Sequence, residues 1–168
     1  NLQGQMVFYP LTRNEHQNGI LRSSQAPFKN PLQTRAQTAV ATLLEHLNYI
    51  GVFSVEFFVH NNILIANECA PRVHNSGHWT IEGNDTSQFE QQLRAVCNLP
   101  FGSTRAHGFN YMYNCIGQMP DRNKILSIPG AHYHTYNKTP REGRKVGHVT
   151  ICGEDKGEVL KLAKLIDV

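Results

Sequence analysis

Residues 52–83 read "VFSVEFFVHNNILIANECAPRVHNSGHWTIEG". The first eight residues are β-branched or aromatic apart from Ser54 and Glu56, as a buried strand requires. Asn61-Asn62 signals a turn, and "ILIA" returns as a partner strand. The hairpin runs into "NECAPRVHNSGHWTIEG", which has no hydrophobic period yet crowds Asn67, Glu68, Arg72, His74, Asn75 and His78 together. Register decides what this arrangement can do, because side chains alternate faces along a strand. A strict two-residue turn sets Glu56 against Asn67 and turns Glu68 to the other face. A three-residue loop sets Glu56 against Ala66 and leaves Glu68 diagonally adjacent on the same face. A shared cation at Glu56 and Glu68 therefore requires the odd-length loop, which we expect, or a bulge that restores its parity.

Outward from this stretch, residues 5–9 suggest a short strand, "TRNEHQNG" a polar loop, and Ile20–Ser23 a second strand. Asn30-Pro31 reads as a helix start. Ala36, Ala39, Val40, Leu43, Leu44 and Leu47 then recur at helical spacing over residues 31–48. Ser87 and Glu90 form a capping-box pattern for a helix carrying Phe89, Leu93 and Val96 inward. Beyond residue 105 the texture changes to short strands ("FNYMYNCIG", "AHYHTYN", "KVGHVTICG") and a last helix over residues 155–166. The expectation is an α+β chain, with one part spanning 1–104 and a small β-rich part spanning 105–168.

Charged residues make up only 17% of the 168 residues and the net charge is +3, which suits a small anionic ligand and excludes a nucleic-acid coat or a disordered tail. Cysteines 69, 97, 115 and 152 form no C-x-x-C pair, so free thiols in a reducing cytoplasm are expected. No apolar run has membrane-spanning length. The opening "NLQGQMVFYPLTRN" has no initiator Met and reads as the middle of something longer, so a C-terminal portion of a larger protein is expected.

Several polar constellations have two readings each. Glu56, a carboxylate in an apolar strand, needs either an Arg or Lys partner or a metal. Glu68 and Asn67 at the end of the partner strand would complete an oxygen-rich half-site of the kind Mg²⁺ takes. Arg72, His74 and Asn75 make either a self-bonded loop or a ligand cradle offering a guanidinium, an imidazole and an amide. His132 and His134 share one side of a strand, as metal ligands or as packing and surface residues. Lys138, Arg144 and Lys145 flank "TPREG", as a solvated turn or an anion-binding loop.

The run "NECAPRVHNSGHWTIEGNDTSQFEQQLRAVCNLPFGST", together with "VFYPLTRNEHQNGILRSSQAP", "LNYIGVFSVEFFV" and "GAHYHTYNKTPREGRKVGHVT", resembles the 5-carboxyaminoimidazole ribonucleotide synthases of the ATP-grasp superfamily. The resemblance covers nearly the whole chain, and Cys69 departs mildly from the apolar residue expected there. It implies the C-terminal half of an ATP-grasp domain, an antiparallel sheet with packed helices, followed by the small C-terminal domain. It implies ATP-dependent carboxylation of 5-aminoimidazole ribonucleotide by bicarbonate through carboxyphosphate, in a cytoplasmic homodimer. By the same resemblance Glu56 and Glu68 hold Mg²⁺ or Mn²⁺, and His16, Asn67 and Glu68 face ATP. Arg72, His74, Asn75, Lys138, Arg144 and Lys145 form the ribonucleotide cradle, with Arg72 and His74 acting in the chemistry. The Rossmann-like domain and nucleotide lid of such enzymes have no counterpart here, so these residues alone are expected to be inactive. The alternatives are another ATP-grasp carboxylate–amine ligase and a non-catalytic ribonucleotide-binding module.

Overall fold

Two asparagine turns organise the first half of the protein, of which the computed structural model describes residues 1–166. Asn18-Gly19 (φ 52° and 74°) joins β1 (Arg13–Gln17) to β2 (Ile20–Ala26). Asn61-Asn62 (φ 49° and 59°) joins β3 (Ser54–His60) to β4 (Ile63–Ala70). Positive φ at both turn positions matches the right-handed twist of the flanking strands, and asparagine and glycine tolerate it best. Residues 5–9 form no strand, and β1 lies in the stretch expected to be a loop. Its polar residues suit an exposed edge strand, whose charges discourage further pairing.

Between the hairpins lies α1 (Gln33–Leu47), beginning two residues later than the Asn-Pro signal suggests. Asn30 instead forms a lead-in turn, its Oδ1 accepting from Leu32 N at 2.8 Å. Of the residues in α1 only Ala36 is buried, and Leu47 is 52% exposed. Ala36, Val40 and Leu44 line a cleft of about 840 Å³ together with Val55, Phe57 and Leu64 of the second hairpin. The strand expected to be buried is thus half-open, with Phe58 59% and Val59 53% exposed. Among the described residues β3 and β4 pair only with each other, and no third strand covers them.

The irregular motif folds into a 3₁₀ turn at Asn75–Gly77 and the short α2 (Thr80–Gly83), followed by α3 (Gln88–Val96). Ser87 caps α3 as expected, accepting from Glu90 N at 3.2 Å. Its inward face, however, is Gln88, Gln91 and Ala95, while Phe89, Leu93 and Val96 are exposed. Gln91 is drawn in by paired bonds to Gly102, Nε2 to O at 2.8 Å and N to Oε1 at 3.0 Å. Fixed amide partners here outweigh the apolar spacing.

β5 (Phe109–Ile116), α4 (Arg122–Leu126), β6 (Ala131–Thr135), β7 (Lys145–Gly153) and α5 (Lys156–Ala163) complete the chain. One antiparallel sheet runs β1-β2-β5-β7-β6. The segment 97–108, where we propose the division between parts 1–104 and 105–168, has no helix or strand, and β2 pairs β5 across it. One sheet face is apolar: Val149, Ile151 and Phe109 pack with Ile125 of α4 and Val159 of α5. The other face is polar, with Asn110, Asn114, His148 and Thr150 all at most 2% exposed, and Trp79, Leu21, Ala26 and Met112 cluster beside them.

This division of burial is testable by urea denaturation. Ile151→Ala should cost about 2–5 kcal/mol, as a truncation in a closed core does. Ile65→Ala, at a residue 48% exposed on the open hairpin, should cost less than about 1 kcal/mol. Equal losses would contradict the fold's asymmetry.

Candidate active site

The loop between β3 and β4 has two residues, so the three-residue loop expected from the sequence does not form. His60 faces Ile63 and Phe57 faces Ala66, and then the register shifts so that Glu56 pairs with Glu68. Asn67 is the extra residue of a β-bulge. A bulge sets two residues of one strand against one of the other, and here it turns Asn67 and Glu68 toward Glu56. The parity that two carboxylates need is restored by the backbone within the strand, two residues before its polar exit.

Among the described residues Glu56 has no Arg or Lys partner. Asn14 Nδ2 donates to its Oε1 at 3.0 Å, Asn67 Nδ2 approaches Oε2 at 3.4 Å, and His16 Nε2 lies 3.6 Å from Oε2. Asn14 is in turn held by Ser24 Oγ, which donates to its Oδ1 at 2.9 Å. His16, expected from the resemblance to face nucleotide, therefore stands beside the carboxylate pair. Asn14 escaped the sequence reading because its role depends on β1, which was read as a loop.

Glu68 is half-exposed, with Oε1 3.9 Å from His74 Nε2. His74 itself is buried. Its Nδ1 lies 2.8 Å from Ser76 Oγ and accepts from Ser76 N at 3.3 Å, which leaves the ring proton on Nε2, toward Glu68. Burial lowers the His74 pKa, against the pull of Glu56 and Glu68 and with the push of Arg72 and Lys145. The ring is thus neutral near pH 7, and its approach to Glu68 is an N–H pointed at a carboxylate rather than an ion pair.

The backbone of His74 is gripped by Gln88. Gln88 Oε1 accepts from His74 N at 2.9 Å, and Nε2 donates to His74 O at 2.7 Å and reaches His78 Nδ1 at 2.9 Å. Gly77 permits this approach, since a Cβ there would meet Gln88 Oε1 at 2.7 Å. Gln88 was also missed, although a glutamine one residue past a helix cap is a poor solvent residue only once its neighbours are known. Asn75 pairs reciprocally with Asn114, at 2.8 Å and 2.6 Å, which leaves one donor and one acceptor of its amide for a ligand.

Cations complete the site. Arg72 is exposed and donates to Val73 O at 2.9 Å. Lys145 is half-buried, and its pKa is lowered by burial first and then by Arg72 and Lys138, while Glu68 and Glu56 raise it. Lys138 Nζ lies 5.3 Å from the centre of the Tyr136 ring. The structure therefore gathers Glu56, Asn67, Glu68, Arg72, His74, Lys138 and Lys145, whereas Arg144 donates to Thr139 O at 3.4 Å within its own loop. His134 is a packing residue, stacked on His148 at 4.4 Å and paired with Glu82, while His132 is exposed.

With this geometry in hand, family comparisons become specific. Residues 1–89 match the family model of the ATP-grasp domain, and residues 110–162 match the phosphoribosylaminoimidazole carboxylase C-terminal domain. The chain belongs to the ATP-grasp family. Within it, the chain is 45% identical over its whole length to the N5-carboxyaminoimidazole ribonucleotide synthase of Vibrio cholerae, of which it covers 45%. The N5-carboxyaminoimidazole ribonucleotide synthetase structure from Thermus thermophilus superposes with TM-score 0.95 at 46% identity, over 98% of this chain and 46% of that one. An Aspergillus clavatus N5-carboxyaminoimidazole synthase, solved with ADP and 5-aminoimidazole ribonucleotide, gives TM-score 0.86 at 33% identity, over 95% of this chain and 48% of that one. The chain thus spans about half the length of these relatives. Among the described residues, no helix is long and apolar enough to cross a membrane.

The buried histidines beneath the site predict an acid-labile fold. Burial holds His78 down to about 4 and His148 to about 3, from an ordinary 6.5. Below pH 6.5 the unfolded chain therefore takes up protons that the folded chain refuses. Stability is full above that pH and declines below it, by about 1.4 kcal/mol per pH unit for each ring. His148→Gln should be less stable than wild type at pH 7, and the gap should close as pH falls toward 4. Urea midpoints across that range that keep a constant gap would show His148 is not buried in neutral form.

Proposed function

We propose that this chain supplies the metal-binding carboxylates and the ribonucleotide cradle of an enzyme for purine nucleotide synthesis. The reaction is the carboxylation of 5-aminoimidazole ribonucleotide by bicarbonate at the expense of ATP. The observation that carries this reading is the bulge that sets Glu68 opposite Glu56 beside Arg72, Lys145 and a neutral His74. The names of the relatives agree with it, and the Aspergillus clavatus protein was solved with ADP and the ribonucleotide.

The donor set fits Mg²⁺ or Mn²⁺. Asn67 turns its Nδ2 to Glu56, which leaves Oδ1 as a third hard oxygen near the two carboxylates. Among the described residues no three His, Cys, Asp or Glu side chains form a complete cage. That suits a cation that completes its shell with water and substrate phosphates. Bound there, the metal would neutralise the charge of the ATP phosphates.

Bicarbonate is a poor electrophile because its leaving group is hydroxide. Transfer of a phosphoryl group from ATP to that oxygen makes phosphate the leaving group, and the ribonucleotide's amine then attacks carboxyphosphate or the CO₂ it releases. Such chemistry asks the protein chiefly for positioning and charge neutralisation. Arg72 offers a planar fork to bicarbonate or carboxyphosphate. His74, with its proton on Nε2, is arranged to donate and orient rather than to take the amine's proton. Lys138, Lys145 and Arg144 are assigned to the ribose phosphate, and His16 to the nucleotide side of Glu56. A homodimer and a cytoplasmic location belong to the same reading, and four free cysteines suit a reducing compartment.

In the full-length enzyme, Glu68→Gln keeps size but removes a charge, and turnover should fall at least about 100-fold with folding unchanged. Asn67→Ala keeps the inserted residue and the register but removes the third oxygen and the amide on Glu56, and should raise the Mg²⁺ concentration needed for half-maximal turnover. Steady-state assays with full Mg·ATP titrations test both. Near-normal turnover of Glu68→Gln would remove the carboxylate pair from the mechanism, and an unchanged Mg²⁺ dependence of Asn67→Ala would remove Asn67 from the metal site.

A further inference from the structure

The cradle reading leaves one thing unexplained: what holds Lys138. It lies in the exposed 137–144 loop on a flexible four-carbon stem, and among the described residues no carboxylate pairs with it. Its ammonium sits instead over the ring of Tyr136, 5.3 Å from the centroid. That ring is fixed from three directions. Tyr136 N donates to Val146 O at 2.9 Å, its hydroxyl meets His148 Nδ1 at 2.8 Å, and it stands edge-on to His78 at 6.2 Å and 86°. His148 is itself buried, 2% exposed, and stacked at 13° on His134, which Glu82 holds.

We propose that Tyr136 is a positioning residue for Lys138, a rigid aromatic shelf that aims the ammonium at the anion in the cradle. The inference rests on the assignment of Lys138 to the ribonucleotide's phosphate. An aromatic face suits this task in a way that a carboxylate does not. A carboxylate would neutralise the lysine and compete with the incoming phosphate. The ring attracts the ammonium through its quadrupole and leaves the net charge and the N–H donors for the ligand. The shelf stays uncharged as well, since burial keeps the proton on the Tyr136 hydroxyl and off His148. A second observation points to an anion at this place. Arg72 and Lys138 both act on Lys145, so three cations share one mouth with Glu68 and Glu56, and an anion entering there meets all three. His148 and Tyr136 thereby join the cradle to the Gln88 grip on His74, because Gln88 reaches His78 and His78 lies 5.2 Å from the His148 ring.

The test compares binding of 5-aminoimidazole ribonucleotide with that of its nucleoside, which lacks the phosphate, by titration calorimetry on the full-length protein. Lys138→Ala should weaken the ribonucleotide and spare the nucleoside. Tyr136→Leu should weaken the ribonucleotide roughly fivefold, spare the nucleoside, and add nothing on the Lys138→Ala background. Tyr136→Phe, which keeps the shelf but loses the hydroxyl bond, should recover most of the affinity. In the unsubstituted protein the Lys138 ε-methylene protons should resonate upfield from the ring current, a readout independent of any variant's folding. No effect of Lys138→Ala would overturn the phosphate assignment and this inference with it. A clear effect of Lys138→Ala would leave the assignment standing, and the inference alone would then fall on any of three results. These are a silent Tyr136→Leu, an additive double variant, and unshifted Lys138 protons.

Discussion

Side-chain hydrogen bonds tie the buried polar sheet face to the irregular segment above it, although Asn110 Oδ1, His148 Nε2 and Thr150 Oγ1 on that face find no partner among the described residues. Unpaired amides in a dry layer cost free energy that no apolar contact returns. Asn114 is satisfied by Asn75 and by Leu21 O, at 2.9 Å, so the loop and β2 are fixed against β5 together. Gln88 does the same for the backbone of His74, and Trp79 Nε1 reaches Thr12 Oγ1 at 3.2 Å. His74 and Asn75 thus rest on amide pairs whose partners lie elsewhere in the chain. This is the scaffold that lets a segment without helical or strand period hold one conformation.

The bulge at Asn67 solves a different problem. A favoured two-residue turn and a shared carboxylate site make opposite demands on register, and neither can shift the other without a frame change. One extra residue in β4 satisfies both. It also spends Asn67 twice, as the inserted residue and as an amide against Glu56.

Much of this was legible in the sequence, and the failures follow a physical pattern. Strands β2, β5, β6 and β7 of the large sheet, the cap at Ser87 and the turn signal at Asn61-Asn62 are local, and they appear where expected, although the turn has two residues rather than three. The face of α3 was misread because Gln88 and Gln91 are drawn inward by backbone partners that spacing does not reveal. The polar residues of β1 read as a loop despite the Asn18-Gly19 hairpin signal, because only the fold shows that they form an edge strand. In the site, Glu56, Glu68, Arg72 and His74 stood out by residue type in a short stretch. Asn14, Gln88, Tyr136 and His148 did not, because each acts only through a neighbour that folding brings to it.

The β2–β5 pairing gives the chain a seam that composition conceals. Ser24 faces Met112 and Ala26 faces Asn110 across it, so strands from both sides of the irregular 97–108 segment share one ladder. The regions matched by separate family models therefore meet along hydrogen bonds and not through a hinge. A chimera that swapped the last sixty-odd residues between homologues would depend on this ladder: donor and recipient must agree on side-chain volume at those paired positions for the sheet to close across the junction.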